Sequence, residues 1–319
     1  MKITKKTATR DSYGKALVSL GEKDDRVVVL EADLAGATKT SYFRERFPER
    51  HIECGIAEAN MTCIAAGLSL TGNIPFLSSF AMFAAGRAYE QVRNSIGYPH
   101  LNVKIAATHG GISVGEDGAT HQCNEDLALM RTIPGMVVLN PADDTSARAA
   151  VMAAAEYEGP VYLRFGRPEV PVIYDESFQF EIGKAYRLKE GTDITIAATG
   201  LCVWSALEAA EKLQEQGISA EVIDFPTVKP LDEETLLASA AKTGMVVTAE
   251  EHSIIGGFGS AVCDCLSEKL PVPVYKIGMR DVYGQSAPAE QLLHRYQLDG
   301  EGVYLQTLEY YNRIRKVQK

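Results

Sequence analysis

The stretch NVKIAATHGGISVGEDGATHQ, residues 102–122, joins two patterns that together decide the fold. Its first seven residues are a short, mostly apolar run, which is typical of a strand buried on both faces of a parallel sheet. The rest combines glycines, acids and histidines in a loop. Because ligands of open α/β sheets bind beyond the carboxyl ends of the strands, the stretch predicts both a fold class and the place of a site.

The same alternation of strands and helices continues on both sides of this stretch. The predicted strands of the first half are VVVL (27–30), IPFL (74–77), NVKIAAT (102–108), MVVLNP (136–141) and PVYLRF (160–165). The helices predicted between them are AEANMTCIAAGLSL (57–70), MFAAGRAYEQVRNSI (82–96) and ADDTSARAAVMAAAEY (142–157). Asp143, Asp144 and Thr145 suit the start of the third helix, because such side chains can accept from the free backbone N–H groups there.

The pattern breaks in residues 166–190, where Pro, acids and aromatic residues follow no helical period and indicate a linker. Alternation then resumes, and helices are predicted after the strands and in the tail 287–316. The strands are DITIAATG (193–200), AEVIDFP (220–226), MVVTAEE (245–251) and VPVYKIG (272–278). We therefore predict an α/β protein of two domains, 1–167 and 191–319, each a mostly parallel sheet flanked by helices, with a linker at 168–190.

Composition restricts the partners and the compartment. The 319 residues carry a formal net charge of −10, which argues against a nucleic-acid partner. The N-terminal residues lack the apolar core of a signal peptide, and no run approaches about 18 apolar residues, so we expect a cytoplasmic protein without a membrane partner. The six cysteines form no CxxC pair, which indicates reduced thiols rather than a zinc or redox site.

Several polar residues of the first domain are candidates for a site, and each also has an ordinary structural interpretation. Asp33 follows VVVLEA, and Glu58 begins a helix, where an acid stabilises the helix dipole by about 0.3–1 kcal/mol. His109 and His121 are compatible with half-buried histidines, and Asp117 with a turn between two glycines. The two histidines are twelve residues apart, too far for the HxH or HxxxH spacings of a zinc site, so we predict no metal site in this chain.

The aromatic and basic candidates are equally ambiguous by themselves. Phe80 and Phe83 are compatible with an ordinary core, and Arg10 and Arg167 with surface cations. The glycine-rich turn in AEEHSIIGGFGS (249–260) resembles a phosphate loop only weakly, since glycine mainly supplies backbone freedom. Local chemistry alone indicates an α/β enzyme that acts on a sugar or a phosphate.

The order of these clusters resembles the transketolase family, in its pyrimidine-binding and C-terminal domains. The resemblance covers essentially the whole chain, is strongest from 31 to 167, and is most specific at THGG…GEDGATHQ. The matching segments are TATRDSYGKAL, EADLAGAT, RFPERHIECGIAEANMTCIAAGLSL, SSFAMFAAGRAYEQVRN, THGGISVGEDGATHQCNEDLALMRTIPGMVVLNPAD and RFGRPE.

The resemblance implies a thiamine diphosphate enzyme that transfers a two-carbon ketol unit between sugar phosphates. Glu58 matches the glutamate that hydrogen-bonds N1′ of the cofactor's aminopyrimidine, which lets the cofactor act as its own base. Phe83, with Phe80 beside it, matches the aromatic wall against the pyrimidine ring. Asp33 matches an acid near the cofactor.

The resemblance also implies how the sugar is held. His109, Asp117 and His121 match residues that bind the hydroxyls of the donor sugar and help to move protons. Arg10 and Arg167 match the cations that clamp the substrate phosphate, as guanidinium geometry suits. Two positions depart from the family pattern: Ala37 stands where a phosphate-binding serine is common, and Gly86 stands where an aromatic residue often helps to wall the pyrimidine.

One motif of the family does not occur in these residues. Full-length transketolases hold the diphosphate through Mg²⁺ with a GDG…N motif in a preceding domain, and nothing here matches it. The resemblance therefore implies a split enzyme, in which a separate N-terminal subunit supplies the diphosphate and Mg²⁺ site. We expect a symmetric α2β2 assembly, with the second domain mostly structural and taking part in self-association.

Three other classes of protein share part of this pattern. 1-Deoxyxylulose-5-phosphate synthase shares several of the motifs, but the histidine at position 109 favours transketolase. The beta subunit of 2-oxoacid dehydrogenases has the same two domains but lacks the GEDGATHQ pattern. A non-catalytic regulatory homologue is disfavoured because Glu58, His109, Asp117 and His121 are all retained.

Overall fold

The computed structural model describes residues 5–317, so residues 1–4 and 318–319, at the outer ends of the two predicted domains, lie outside the described residues. The strands are β1 (Lys6–Ala8), β2 (Val27–Glu31), β3 (His51–Glu53), β4 (Ile74–Phe80), β5 (Lys104–Thr108), β6 (Val137–Leu139), β7 (Val161–Arg164), β8 (Glu169–Pro171), β9 (Tyr186–Lys189), β10 (Ile194–Ala198), β11 (Ala220–Asp224), β12 (Thr227–Lys229), β13 (Val246–Ser253) and β14 (Val274–Met279).

Helices connect most of these strands. They are α1 (Thr9–Lys23), α2 (Ala35–Thr38), α3 (Ser41–Arg46), α4 (Glu58–Ser69), α5 (Tyr89–Gln91), α6 (Asp126–Arg131), α7 (Asp144–Glu156), α8 (Cys202–Glu215), α9 (Glu233–Thr243), α10 (Phe258–Lys269), α11 (Ala289–Arg295) and α12 (Gly300–Val317). Two short 3₁₀ turns cover Pro48–Arg50 and Ile112–Val114, and two π-helical segments cover Met82–Arg87 and Val92–Gly97.

Two large sheets organise the chain, and the predicted fold class is confirmed. The first sheet has the strand order β12-β6-β7-β5-β4-β2-β3, and all its pairs are parallel except the one between β12 and β6. The second has the order β14-β13-β10-β11-β9, with only β9 antiparallel. All five residues of β2, β5 and β10 are buried, as expected for strands covered on both faces.

The two halves of the chain are more closely joined than two domains on a linker. Strand β12 comes from the second half but adds to the edge of the first sheet, where Thr227 pairs with Leu139. It was not predicted, because three residues between two prolines carry no readable period. One continuous apolar core also contains residues of both halves, among them Ile105 and Phe258.

The segment predicted as a linker, 168–190, contains two strands. Strand β8 pairs with β1, so it extends the first domain, and β9 pairs with β11 at the edge of the second sheet. The segment is thus anchored at both ends rather than free. The domain bounds 1–167, 168–190 and 191–319 remain predictions.

The helix predicted over 82–96 is present but is not a regular α-helix. It consists of the two π-helical segments with α5 between them, and i→i+5 hydrogen bonds run from Ala88 N–H to the Phe83 carbonyl (3.1 Å) and from Tyr98 N–H to the Arg93 carbonyl (2.8 Å). π-Turns are rare and occur frequently at functional sites. The widened turn decides where Phe83 and Arg87 point, which the 3.6-residue pattern could not predict.

The other two helices predicted in the first half are confirmed with small shifts at their ends. Helix α7 begins after Asp143, whose carboxylate accepts from Ser146 N–H at 2.8 Å while Ser146 Oγ accepts from Asp143 N–H at 3.0 Å. This reciprocal pair is a capping box and satisfies two backbone donors. Helix α4 begins at Glu58, so the candidate glutamate lies at a helix N-terminus as predicted.

Candidate active site

The candidate residues gather at the carboxyl edge of the first sheet. Strand β4 ends at Phe80, β5 ends immediately before His109, and β7 ends three residues before Arg167. Helix α4, which follows β3, begins with Glu58 at the same edge. The carboxyl ends of parallel strands lie side by side, so residues far apart in sequence meet here.

Aromatic rings form a wall at this edge. Phe80 and Phe83 stack with ring centroids 5.9 Å apart and planes 14° apart, and Phe80 also stacks on His109 at 3.8 Å. The His121 ring meets Phe83 edge-on at 5.4 Å. Phe80 is buried and Phe83 is half-buried, so part of the wall remains accessible to a planar ligand.

Glu58 lies beside this wall and has a cationic partner. Its side chain is 2% exposed, and Arg87 Nη1 donates to both carboxylate oxygens at 3.0 Å. The Arg87 guanidinium also lies over the Phe83 ring, 4.6 Å from the centroid, and is 52% exposed. Sequence analysis missed Arg87, because its pairing depends on the π-turn. Its only signal was that it is the single cation between Phe80 and Glu90.

His109 has a defined tautomer. Arg10 Nη1 lies 3.1 Å from Nε2, and a guanidinium can only donate, so Nε2 accepts this bond. Nδ1 therefore carries the proton and donates to Thr108 Oγ1 at 2.8 Å. Burial, with the positive charges of Arg10 and Arg167 adding to it, lowers the pKa of His109 to about 3. The imidazole is therefore neutral across the physiological range.

The two arginines flank His109 and have further partners on this chain. Arg10 also donates to the Ala37 carbonyl at 3.1 Å, so the position without a serine still contributes an acceptor. Arg167 donates to the Val114 carbonyl, and to the Glu116 carboxylate at 2.9 Å. Glu116 was not recognised as a partner in the sequence.

The remaining predicted residues are placed differently. The Nδ1 atom of His121 lies 2.9 Å from Thr120 Oγ1 and its ring contacts the wall, so His121 belongs to the cluster. Asp117 is exposed at the tip of its loop, and no hydrogen bond or ion pair joins its carboxylate to other residues in 5–317. Asp33 is also exposed and has a φ of +62°; its backbone N–H donates to the Glu53 carboxylate at 2.8 Å, without contacting the wall.

A few absences complete the description. Among residues 5–317 no group of three or more His, Cys, Asp or Glu side chains is arranged to hold a metal ion. The six cysteines are all free thiols. In the same part of the chain, no helix combines the length and the apolar character needed to cross a bilayer.

The geometry defines three chemical capacities. A carboxylate beside an accessible aromatic face can hold a flat ring that has an N–H donor. A neutral imidazole with an acceptor nitrogen can bind a hydroxyl or take up a proton. Two guanidiniums near that imidazole favour an anionic group on the same ligand.

Two family models match this chain. The model described as transketolase, pyrimidine binding domain, matches residues 5–172, and the model described as transketolase, C-terminal domain, matches residues 183–303. Together they cover both large sheets.

Similar proteins and structures have been described. A protein of Methanocaldococcus jannaschii whose name describes a transketolase C-terminal section is 50% identical over 94% of this chain and 95% of its own length. The 6-deoxy-6-sulfo-D-fructose transketolase subunit SqwH of Clostridium sp. is 46% identical over 92% of this chain and 91% of its own. A solved split-gene transketolase, an inactive beta4 tetramer, superposes with a TM-score of 0.88 and is 53% identical, covering 96% of this chain and 98% of that one.

Proposed function

This chain belongs to the transketolase family, and we propose that it is the C-terminal subunit of a split, thiamine-diphosphate-dependent transketolase that transfers a two-carbon ketol unit between sugar phosphates. The observation that carries the proposal is the arrangement of Glu58, the Phe80–Phe83 wall and His109 at one sheet edge. This arrangement combines a site for a flat ring with a site for a polyhydroxy anion.

The residues present fit the aminopyrimidine half of thiamine diphosphate. Glu58 is a buried carboxylate beside aromatic faces, so it would accept a hydrogen bond from a ring nitrogen and hold the proton there. Phe83 would lie against the ring and exclude water. When bound, the cofactor supplies the carbon centre that accepts the ketol unit. The Arg87 guanidinium, now on the Glu58 carboxylate, would have to share or leave that partner.

The histidines would act on the sugar. His109 is neutral, and its Nε2 is an acceptor that can bind a donor hydroxyl or take up its proton, provided that Arg10 moves toward the ligand. His121 contacts the same wall edge-on and would bind a second hydroxyl. Asp117 is exposed on the same loop, and we propose that it reaches the sugar only in the complete complex.

Arg10 and Arg167 would bind the anionic head group of the sugar. Arg10 Nη1 lies 3.1 Å from His109 Nε2, and the charges of both arginines lower the pKa of His109, which supports a role for both near the sugar. Glu116 now neutralises Arg167 in part, so a dianionic phosphate would compete with this carboxylate for the guanidinium. Asp33, whose side chain is exposed, would contribute at the cofactor end of the site.

We further propose that a separate N-terminal subunit supplies the diphosphate and Mg²⁺ site and that two pairs associate as α2β2. Two similar proteins are named as a C-terminal section and as a subunit. Near the site, large apolar side chains are exposed, including Ile56 at 74% and Tyr283 at 87%. Exposed apolar residues around a polar site are typical of a surface that a partner covers.

The test is ketol transfer from xylulose 5-phosphate to ribose 5-phosphate with thiamine diphosphate and Mg²⁺. The chain should be assayed alone and then mixed with a candidate N-terminal subunit. We expect activity only in the mixture. A product that forms from pyruvate but not from ketose donors would favour the synthase or 2-oxoacid dehydrogenase alternatives and contradict the proposal.

The head group can be tested with the same mixture. A relative that is 46% identical is named for a sulfo-sugar, and guanidiniums bind sulfonates as well as phosphates. Matched assays with fructose 6-phosphate and 6-deoxy-6-sulfofructose as donors compare the two anions on one carbon skeleton. We expect the phosphate to be preferred, because a dianion displaces the Glu116 carboxylate from Arg167 more readily than a monoanion does.

A further inference from the structure

The loop that carries both site histidines, residues 109–122, rests on the second domain. We call this segment the histidine loop. Gly111 and Gly118 have φ values of +78° and +77°, and a Cβ at either would overlap a second-domain side chain, the Glu251 carboxylate or Ser286 Oγ respectively. The loop therefore meets the other domain at backbone distance at two separate points.

The first point is Glu251, near the end of β13. Its carboxylate is buried, 2% exposed as a residue, and accepts from the backbone N–H of Ser113 at 2.5 Å. Arg164 fastens the adjacent backbone, because it donates to the Glu251 carbonyl at 2.9 Å and to Asp126 at 2.8 Å. The bonds of the Arg164 guanidinium are charge-assisted, short and directional, so Glu251 is held in place and fixes the height of the loop above the sheet through Ser113.

Gln122, the last residue of the histidine loop, makes a further contact with the second domain. Its Nε2 donates to the carbonyls of Ile112 and Gly115 within the loop, and to the Gln285 carbonyl of the second domain at 2.8 Å. Gly284 lies directly against the side-chain oxygen of Gln122, and any Cβ at position 284 would overlap it. Position 284 has no positive φ, so an alanine there would act through this contact alone.

Neither Glu251 nor Gly284 belongs to the aromatic wall, and neither contacts the Glu58–Arg87 ion pair. Both act on the backbone that orients His109 and His121. A misplacement of about 1 Å at a reacting group can cost on the order of 100-fold in rate, even when its cause lies outside the site. We propose that the second domain positions the histidine loop, with Glu251 and Gly284 as positioning residues for sugar binding. The expected change in sugar binding rests on the proposed function, whereas the expected change in the positions of the two histidines does not.

The structural consequence is tested on the chain alone by NMR of the histidine Cε1–H groups, assigned with His109→Gln and His121→Gln. Glu251→Ala and Gly284→Ala should each move the His109 and His121 resonances and leave His100 and His294 unchanged. Glu251→Gln should restore the wild-type positions, because an amide oxygen can still accept from Ser113 N–H. Unmoved His109 and His121 resonances in both alanine variants would overturn the inference.

Two matched controls separate positioning from general loosening. Glu250→Ala removes the neighbouring buried acid, whose carboxylate accepts from Phe258 and Gly259 N–H inside the second domain. Gly67→Ala adds a methyl group where no atom lies within 4 Å. Thermal melting of every variant is recorded alongside. If Glu250→Ala shifts His109 and His121 as much as Glu251→Ala does, the effect is not specific to the loop and the inference fails.

The catalytic consequence is tested with the reconstituted pair of subunits. Glu251→Ala and Gly284→Ala should each raise the KM for the donor sugar about tenfold, because each disturbs a hydrogen bond that holds the histidine loop. Cofactor affinity, measured by calorimetry, should be unchanged, because Glu58 and Phe83 lie on other elements. An unchanged donor KM, or an equal loss of cofactor affinity, would overturn the inference. An inactive wild-type mixture would refute the proposed function instead, and the NMR result would still decide positioning.

A double variant tests the direct contact at Gly284. In Gln122→Ala the side chain that an added methyl group would displace is absent. Gln122→Ala combined with Gly284→Ala should therefore match Gln122→Ala alone in donor KM and in histidine resonances. Additive effects of the two substitutions would show that Gly284 acts through some other path and would contradict the inference.

Discussion

At the carboxyl edge of the first sheet Glu58 and His109 lie beside an aromatic wall, whereas at the carboxyl edge of the second sheet Glu250 and Glu251 are occupied by backbone donors. Glu250 accepts from Phe258 N–H at 2.7 Å and from Gly259 N–H at 2.8 Å, so it neutralises the start of α10. Both edges meet the topological rule for ligand sites.

The difference between the edges lies in where the partners of the polar groups come from. The glycine-rich turn 254–259 resembles a phosphate loop weakly in sequence, but its N–H groups already face the chain's own Glu250. At the first sheet, by contrast, the partners of Glu58 and Arg167 are Arg87, half-exposed, and Glu116, exposed. Partners on solvent-facing side chains can be exchanged for a ligand, and buried backbone donors cannot.

Removing Glu58 from the first edge should lower activity, whereas removing Glu250 from the second edge should lower stability. The loss of Glu58 gives the largest effect. Glu58→Ala should lower ketol transfer by about 10²–10⁴-fold, the usual contribution of a positioned acid or base. The melting temperature of the chain should change little, because the ion-pair partner of Glu58 is the half-exposed Arg87, which water can solvate once the carboxylate is gone. Turnover of the mixed subunits and thermal melting measure both. Near-normal turnover would contradict the role of Glu58 at the cofactor. The variant Glu58→Gln tests whether the negative charge is needed or whether a hydrogen-bond-accepting oxygen is enough.

The matching substitution in the second sheet is Glu250→Ala. It leaves two buried N–H groups without an acceptor, so the free energy of unfolding should fall by about 2–3 kcal/mol. Below the melting transition, kcat and the donor KM should stay at the wild-type values. Chemical denaturation and the transfer assay check the two parts. A loss of kcat without a loss of stability would place the second edge in the active site. The two edges would then not differ in the way described.

The pH dependence of stability should report the burial of His109. Its pKa is about 3 in the folded chain and 6.5 as its ordinary value, so between these values the unfolded state binds more protons. The contribution of His109 is full above pH 6.5 and is lost as pH falls toward 3. Between pH 7 and pH 5 the wild type should lose about 2 kcal/mol more than His109→Gln.

Denaturant unfolding of both proteins at the two pH values measures this difference. Burial also raises the pKa values of Glu31 and Glu251 to about 7, which contributes stability with the opposite sign over this range. Those groups are present in both proteins and cancel in the comparison. Identical pH slopes for the wild type and His109→Gln would show that His109 is not held neutral by burial.

The smallest effect is expected at the rim of the first site. Arg167→Ala should raise the KM for phosphorylated donors about tenfold, because one charge-assisted contact is lost. Unphosphorylated ketoses should be used as before. Steady-state kinetics with fructose 6-phosphate and with fructose measure the two KM values separately. The variant Glu116→Gln, which removes the carboxylate now paired with Arg167, should lower the KM for the phosphorylated donor. Equal losses with both ketoses would contradict the clamp.

Much of the fold could be predicted from the sequence, and so could most of the side chains that the structure brings together at the candidate site. The buried strands follow from their apolar runs, and α7 follows from its capping residues. Six candidates fall into one cluster: Arg10, Glu58, Phe80, Phe83, His109 and His121. Arg167 lies at its rim. Asp33 and Asp117 lie outside its contacts, because an exposed carboxylate at a turn has no packing partner that fixes its direction.

The sequence by itself determined the apolar runs of the buried strands, the helical segments between them, the capping residues of α7, the order of the strands along the chain and the motifs that show the family. These depend on interactions between residues that are near neighbours. Only the tertiary structure decided that Arg87 covers Glu58, that β12 completes the first sheet and that Glu251 holds Ser113 from 138 residues away. Those pairings depend on how two sheets and a π-turn pack together, and no local pattern encodes the resulting distances.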